Sequence, residues 1–305
     1  MPEIPDVVVV GSVNQDLVVP VPHHPTIGET VLGEDHLQIP GGKGANQAVA
    51  AARLGSQVTF VGRVGTDSVG SQLRKSLENE KVNCQYLIND QNSPSGIALI
   101  GVNKTGDNTI IVSPGANSKM NAEDILTAST VLKKAPVTLL QFEIPIEAVE
   151  TAIAISEGIV ILNPAPTNKN GIRLLKEVDV LVPNLVELSQ LVQSPKTTNL
   201  NEVENMARSL PTRQVIVTLG EYGALLVTND RTEAIQAPKV ETIDTTAAGD
   251  AFCGALADSL SRGTEITEAV HRAVHAGAIS VTNVGAQTSL PTAQQVADSI
   301  LNNKN

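Results

Sequence analysis

The chain has 305 residues, 41% of them apolar, with 23 glycines and a formal net charge of −11. That length suits one large α/β domain, or a large domain with a small addition, and the acidic balance argues against a nucleic-acid or anionic-membrane surface. No run of 18 apolar residues occurs, so no membrane span is predicted; Cys84 and Cys253 have no metal-ligand spacing and, with no secretory pattern at the N-terminus, read as reduced thiols of a cytoplasmic protein.

Strand and helix patterns alternate along the chain. Val7–Gly11 is a short β-rich run, Gly44–Leu54 has the pattern of a helix, Val58–Gly62 of a strand and Ser68–Asn79 of a helix. Further on, Val137–Leu140, Ile159–Leu162, Val180–Val182 and Val215–Thr218 are short apolar runs of the kind buried in a parallel sheet. Between them fall candidate helices at Ala122–Leu132, Ile146–Ser156, Leu185–Val192 and Leu200–Leu210. The spacing predicts an open α/β sheet with helices on both faces.

Two regions break the rhythm. Leu17–Ile39 contains extended, proline-punctuated pieces, and Gly96–Val102 with Asn108–Val112 reads as a hairpin turning at Lys104–Asp107. These pieces predict a small separate sheet, which needs packing against the main domain or a second subunit. The C-terminal third is helical over Ala247–Leu260, Glu265–Val281 and Thr292–Leu301, with the loop Gly285–Ser289 between the last two.

The segment Asp244–Phe252 carries the sharpest chemical signal. Asp244, Thr245, Thr246, Ala247, Ala248 and Gly249 run into Asp250 and the apolar stretch that follows. A helix entered by Ala, Ala and Gly leaves its first N–H groups open to an anion, with a carboxylate beside it. Moving a phosphoryl group onto an alcohol needs both: the cradle holds the transferring charge and Asp250 takes the hydroxyl proton. A plain helix cap at Thr246 or Asp250 is the alternative.

Other constellations are weaker alone. Asn14 and Asp16, after the first strand, suit a polyhydroxyl ligand or simply shape a turn. Gly41-Gly42-Lys43-Gly44-Ala45-Asn46 lacks the Ser or Thr that a Walker loop places after its lysine. It fits a close backbone approach to a small ligand, with Lys43 and Asn46 as donors, or a structural helix entry. Asn184 and Glu187 read as a capping box, as the neighbourhood of a phosphate-bound Mg²⁺, or as both. Thr218–Gly223 follows a strand and offers a phosphate or ribose contact, or a turn. His271 and His275 share a helical face without the acid of a zinc motif, and the absence of Trp with only two Tyr removes the stacking platforms of single-strand binders.

Taken together, these residues resemble the ribokinases of the broad carbohydrate and nucleoside kinase (PfkB-type) superfamily. The similarity runs over nearly the whole chain, through Gly41–Ala48, Asn184-x-x-Glu187 and Asp244–Phe252 in that order. Ala247 stands where the superfamily more often has Gly, and an alanine still leaves its N–H free. The resemblance implies a three-layer α-β-α sandwich with a mostly parallel central sheet, over residues 1–16, 40–95 and 113–305, and a small β lid over 17–39 and 96–112. It makes Asp250 the catalytic base, with an anion hole from Ala247, Ala248 and Gly249. Asn14, Asp16, Gly42, Lys43, Asn46 and Glu143 would bind the sugar, and Asn184, Thr218, Gly220, Gly249 and His275 the nucleotide. Glu187 would lie near Mg²⁺, through water, and Asp244, Thr246, Ser280, Asn283, Gly285 and Ser289 around K⁺. The implied activity is ATP-dependent phosphorylation of D-ribose at the 5-hydroxyl, in a homodimer formed through the lid.

Three other readings compete. A kinase for 2-deoxyribose, another small sugar or a nucleoside is nearest; a nucleoside needs an apolar or aromatic wall for its base, and the chain has three Phe and two Tyr. A sugar-sensing protein that kept the fold would be free to lose Asp250 and the anion hole, and both are present. A structural assembly protein would leave the glycine loops unexplained.

Overall fold

The computed structural model describes residues 4–303. Its centre is β1 (Val7–Val10), four valines with no exposed surface. Successive side chains point to opposite faces of a sheet, so Val7 and Val9 enter one apolar core and Val8 and Val10 the other.

The remaining strands, in chain order, are β2 (Asn14–Pro20), β3 (Leu37–Gly41), β4 (Val58–Gly65), β5 (Asn83–Asp90), β6 (Gly96–Val102), β7 (Asn108–Ser113), β8 (Val137–Gln141), β9 (Ile159–Asn163), β10 (Val180–Leu181), β11 (Gln214–Thr218), β12 (Ala224–Thr228) and β13 (Thr232–Ile235). Nine of them form the large sheet in the order β13-β12-β11-β10-β9-β8-β1-β4-β5. Pairing is parallel from β5 to β11, and β12 and β13 close one edge antiparallel.

Helices α1 (Lys43–Arg53) and α2 (Ser68–Asn79) cover one face together with α8 (Ala248–Ser261), α9 (Ile266–Ser280) and α10 (Ala293–Asn302). The other face carries α3 (Ala122–Thr127), α4 (Ser129–Lys134), α5 (Ile146–Ile155), α6 (Leu185–Leu191) and α7 (Leu200–Arg208). The result is a sheet with helices on both faces, as the alternating pattern predicts, in the three-layer α-β-α arrangement that the resemblance implies.

A second sheet of four strands runs β3-β2-β6-β7. It contains the expected hairpin, closed by the Asn103 N–H on the Asp107 carbonyl at 3.0 Å. Leu99, Ile110 and Ile111 are each about half exposed or more on it.

Three elements differ from the sequence reading. The helix expected over Ala122–Leu132 breaks at Ala128, whose φ of −94° and ψ of 6° end α3. Strand β5 has no counterpart among the expected strands because it is an edge strand with alternate residues exposed, so its apolar signal is thin. The β12–β13 hairpin follows so closely on Gly220–Gly223 that its pattern merges with the turn.

Candidate active site

The carboxyl ends of the parallel strands converge where α1 and α8 begin. Gly254 sets the spacing of those two helices: a Cβ there would lie 2.4 Å from the Ala50 Cβ and 2.8 Å from the Gln47 carbonyl oxygen. The bare backbone lets α8 lie against α1, and this brings Asp250 beside Asn46 and Gln47.

Asp250 sits in the first turn of α8 and is 6% exposed. Asn46 Nδ2 donates to its Oδ2 at 3.0 Å, and Gln47 Nε2 donates to its Oδ1 at 3.0 Å. Burial raises the carboxyl above its ordinary range, against the opposing pull of Lys43 and the two amides. A buried carboxyl that accepts from two amide donors and has a raised affinity for protons has the properties of a general base.

Ala247 caps α8 in the left-handed region, at φ 60° and ψ 7°, with no side-chain cap. The Ala248 N–H reaches only the Thr245 carbonyl, at 3.4 Å, while the N–H groups of Ala247, Gly249 and Asp250 have no acceptor among the described residues. Among the described residues, nothing beyond the helix's own neighbouring backbone lies within 4 Å of the place where a Gly249 Cβ would stand. The helix start is therefore open to an anion.

On one side of Asp250 the structure gathers Asn14, Asp16, Gly42, Lys43, Asn46 and Glu143. Asn14 and Asp16 are two apart on β2 and share a face. Asn117 donates through Nδ2 to Asn14 Oδ1 at 2.8 Å and to the Val13 carbonyl at 3.0 Å, and accepts the Val13 N–H at 3.0 Å. Gly42, at φ 90°, lies so close to Val13 and Asn14 that a Cβ would come within 2.8 Å of their backbone. Glu143 accepts the Ser12 hydroxyl at 2.5 Å and the Lys43 N–H at 3.1 Å. Burial, with Glu143 and Asp250 adding like charge, pushes the Asp16 carboxyl up to about 7. Burial alone would lower the Lys43 ammonium, but Asp250, Glu143 and Glu187 outweigh it and raise it.

On the other side a cavity of about 190 Å³ is lined by Lys43, Asn163, Asn184, Glu187, Thr218, Thr245, Ala247, Gly249, Asp250 and Cys253. Asn184 bridges to Thr218 and forms a capping box with Glu187, both of whose carboxylate oxygens accept from Asn184 at 2.9 Å. Burial raises the Glu187 carboxyl, against Asn184 and Lys43. Gly220 opens the turn after β11 at φ 63° and is exposed. His275 stands apart from this cavity: it is 2% exposed, and its Nδ1 pairs with the Ser299 hydroxyl at 2.8 Å. Burial and the neighbouring His271 push it down to about 4, so it is neutral at ordinary pH.

Of the residues named for a monovalent cation, Asp244, Thr246 and Gly285 are joined by hydrogen bonds, and Ser280 and Ser289 form a separate pair. Asp244 Oδ1 accepts the Thr246 N–H at 2.9 Å and Oδ2 the Gly285 N–H at 2.8 Å, which ties the two loops together. Burial opposes the charge of Asp244, but these N–H groups hold its carboxyl below the ordinary range. The Ser280 and Ser289 hydroxyls pair with each other at 2.9 Å, and Asn283 is exposed. The Asp244 carboxylate and the hydroxyls of Thr246, Ser280 and Ser289 are oxygen donors of the kind a hard cation takes, and the Glu187 carboxylate is of the kind that Mg²⁺ with its waters takes.

Four polar residues at the site have no role in the sequence reading: Gln47, Asn117, Gln141 and Asn163. Only Gln47 carries a signal, its place beside Asn46 in the glycine-rich segment. A larger, shallower depression lies at the β5 edge, where Arg74 donates to the Cys84 and Leu87 carbonyls; it lies away from the residues gathered around Asp250.

Residues 5–293 match the model of the pfkB family carbohydrate kinases. A ribokinase of Staphylococcus aureus (strain COL) is 36% identical over 298 residues, covering 95% of this chain and 98% of that protein. A deoxyribokinase of Salmonella typhi is 37% identical over 297 residues, covering 95% and 97%. The structure of Arabidopsis thaliana ribokinase complexed with ribose and ATP has 31% identity and a TM-score of 0.87, covering 98% of this chain and 99% of that one. Fold and cleft define an α/β small-molecule kinase. The chain belongs to the pfkB family of carbohydrate kinases.

Proposed function

We propose that this protein is a ribokinase, transferring the γ-phosphoryl group of ATP to the 5-hydroxyl of D-ribose to give ribose 5-phosphate. The observation that carries the reading is Asp250, held by two amide donors at an open helix start between a carboxylate-rich polar cluster and the Thr218 cavity. Ribokinase relatives at similar identity along the whole chain support the choice of sugar.

Ribose lies against Asn14, Asp16, Lys43, Asn46 and Glu143, with its 5-hydroxyl toward Asp250. The nucleotide lies on the Asn184, Thr218 and Gly220 side. The 5-oxygen attacks the γ-phosphorus and gives its proton to Asp250, the bond to the β-phosphate oxygen breaks, and ADP leaves. The free N–H groups of the α8 start stabilise charge on the equatorial oxygens. Mg²⁺ near Glu187, when bound, neutralises phosphate charge. K⁺ held by the loops that Asp244 ties together would keep Ala247 and Gly249 in place. Closure of the small sheet over the sugar excludes water.

The exposed Leu99 and Ile111, paired across β6 and β7 on one face of that sheet, suit packing against a second copy as a homodimer. No helix of the described residues is long and apolar enough to cross a membrane, and the two buried, unpaired cysteines fit a cytoplasmic enzyme.

A 2-deoxyribose kinase is the second reading, favoured by the Salmonella relative. A coupled ADP-release assay against ribose, 2-deoxyribose, other pentoses and nucleosides, with and without K⁺, tests both. Ribose is expected to give the highest kcat/KM; turnover of none of these sugars would overturn the proposal.

A further inference from the structure

We propose that Gln47, Asn163 and Gln141 form a polarity relay in which Gln47 is the positioning residue that keeps Asp250 an oriented, charged acceptor. The relay begins at a group that has no choice of role. The Val182 carbonyl can only accept, and Asn163 Nδ2 donates to it at 2.9 Å. The Asn163 Oδ1 must then face Gln47, where it accepts from Nε2 at 3.2 Å. The same Nε2 spends its second N–H on Asp250 Oδ1 at 3.0 Å. Gln47 Oε1 is thereby turned away, and Gln141 must present Nε2 to it, which it does at 2.6 Å. Gln47 and Gln141 are 0% and 0% exposed, so water does not substitute for either partner.

A side-chain amide can flip its oxygen and nitrogen ends at almost no steric cost. A flipped Gln47 would set its oxygen against Asp250, an arrangement only the protonated acid satisfies, and would leave the base unable to accept the substrate proton. The relay forbids that flip from a backbone carbonyl two residues before Asn184. It thus links the nucleotide side of the cleft to the polarity of the base.

The inference rests on the proposed role of Asp250, and its test separates the two. Asp250 also faces Lys43 from α1, Glu143 from the loop after β8, Asp16 from β2, Glu187 from α6 and Cys253 on α8. Asn163→Leu leaves all of these in place. In the free protein, the carboxyl ¹³C titration of Asp250, assigned by its loss in Asp250→Asn, is expected to move up by roughly one pH unit, the size of a lost hydrogen bond to a charge. The acidic limb of the kcat profile should move the same way, with kcat lowered several-fold on that limb, recovery at higher pH and little change in ribose KM. Gln47→Met, close in volume and not among the residues lining the cavity, removes the donor to Asp250 itself and reads the same upward shift should Asn163→Leu not fold. A folded variant with the wild-type titration midpoint, or a loss of kcat equal at every pH, would overturn the relay. Absence of ribose kinase activity in the wild type would remove the proposed function, and the carboxyl titration would then decide the relay by itself.

Discussion

Asn46 donates its Nδ2 to Asp250 at 3.0 Å and keeps its own Oδ1 buried without a partner among the described residues. An acceptor left so costs roughly 1–3 kcal/mol, and a sugar hydroxyl is the donor that would relieve it. The pair therefore joins substrate to base through one amide.

The first prediction concerns Asp250→Asn. The substitution keeps the shape, so the Asn46 and Gln47 contacts are disturbed at one oxygen only and the cavity is unchanged. Proton acceptance is lost. Calorimetry should find ATP and ribose binding largely intact, while kcat falls by roughly 10²-fold or more, the scale of general-base loss. Turnover near the wild-type rate would take Asp250 out of that role.

The second follows from Asp16. Its carboxyl has an ordinary value of 3.8 and is pushed up to about 7 by burial and by Glu143 and Asp250. Between those values the folded protein holds a proton that the unfolded chain has released, so this group lowers stability as pH rises across the window. The penalty is complete above about 7 and absent below the ordinary value. Asp16→Asn should raise the melting temperature of the free protein at pH 8 by roughly 2 °C or more, with the gap closing toward pH 4. The same variant should lower kcat/KM for ribose at least tenfold, on the order of a lost charged hydrogen bond. A pH-independent gap in melting temperature would show that burial of charge is not the cause.

Much of the frame was legible because its signals are local. Val7–Val10 and the other β-branched runs announce buried parallel strands, and Ala247–Gly249 announces a bare helix start. The small sheet was legible as a hairpin plus extended pieces. What stayed hidden depends on contacts between distant segments. Gln47 meets Asp250 across 203 residues, and Asn117 meets Asn14 across 103. An Asn or Gln reads alike in sequence whether it faces solvent or a buried carboxylate. The left-handed backbone at Ala247 is not announced by an alanine; the glycine that the superfamily more often has at that place is the hint of it.

That backbone carries the third prediction. A non-glycine residue in the left-handed region costs roughly 1 kcal/mol, and Ala247 stands there at φ 60°. Ala247→Gly should relieve that strain, offset in part by glycine's greater freedom in the unfolded chain. The expected gain is up to about 1 kcal/mol in denaturant unfolding, with kcat retained because the N–H groups are unchanged. Ala247→Val, β-branched at positive φ, should lose stability and kcat together. A gain from valine would mean that the α8 entry is not held in this conformation.

The last prediction addresses the choice of sugar. Asn117 binds both backbone groups of Val13, which fixes its amide and commits its Nδ2 to Asn14 Oδ1. Asn14 is left with N–H donors to offer, beside the carboxylate of Asp16 on the same face of β2. A 2-hydroxyl can accept from the first and donate to the second. A sugar without it leaves both groups, the buried Asn14 and the half-buried Asp16, unpaired, and sites of that kind discriminate strongly. The kcat/KM for ribose should exceed that for 2-deoxyribose by at least about tenfold, the effect of one lost hydrogen bond. Asn117→Asp removes the donor, frees the Asn14 amide to turn, and should bring the ratio toward one, mainly through the ribose KM. Equal values in the wild-type protein would refute the assignment of these groups to the 2-hydroxyl and favour the deoxyribose reading.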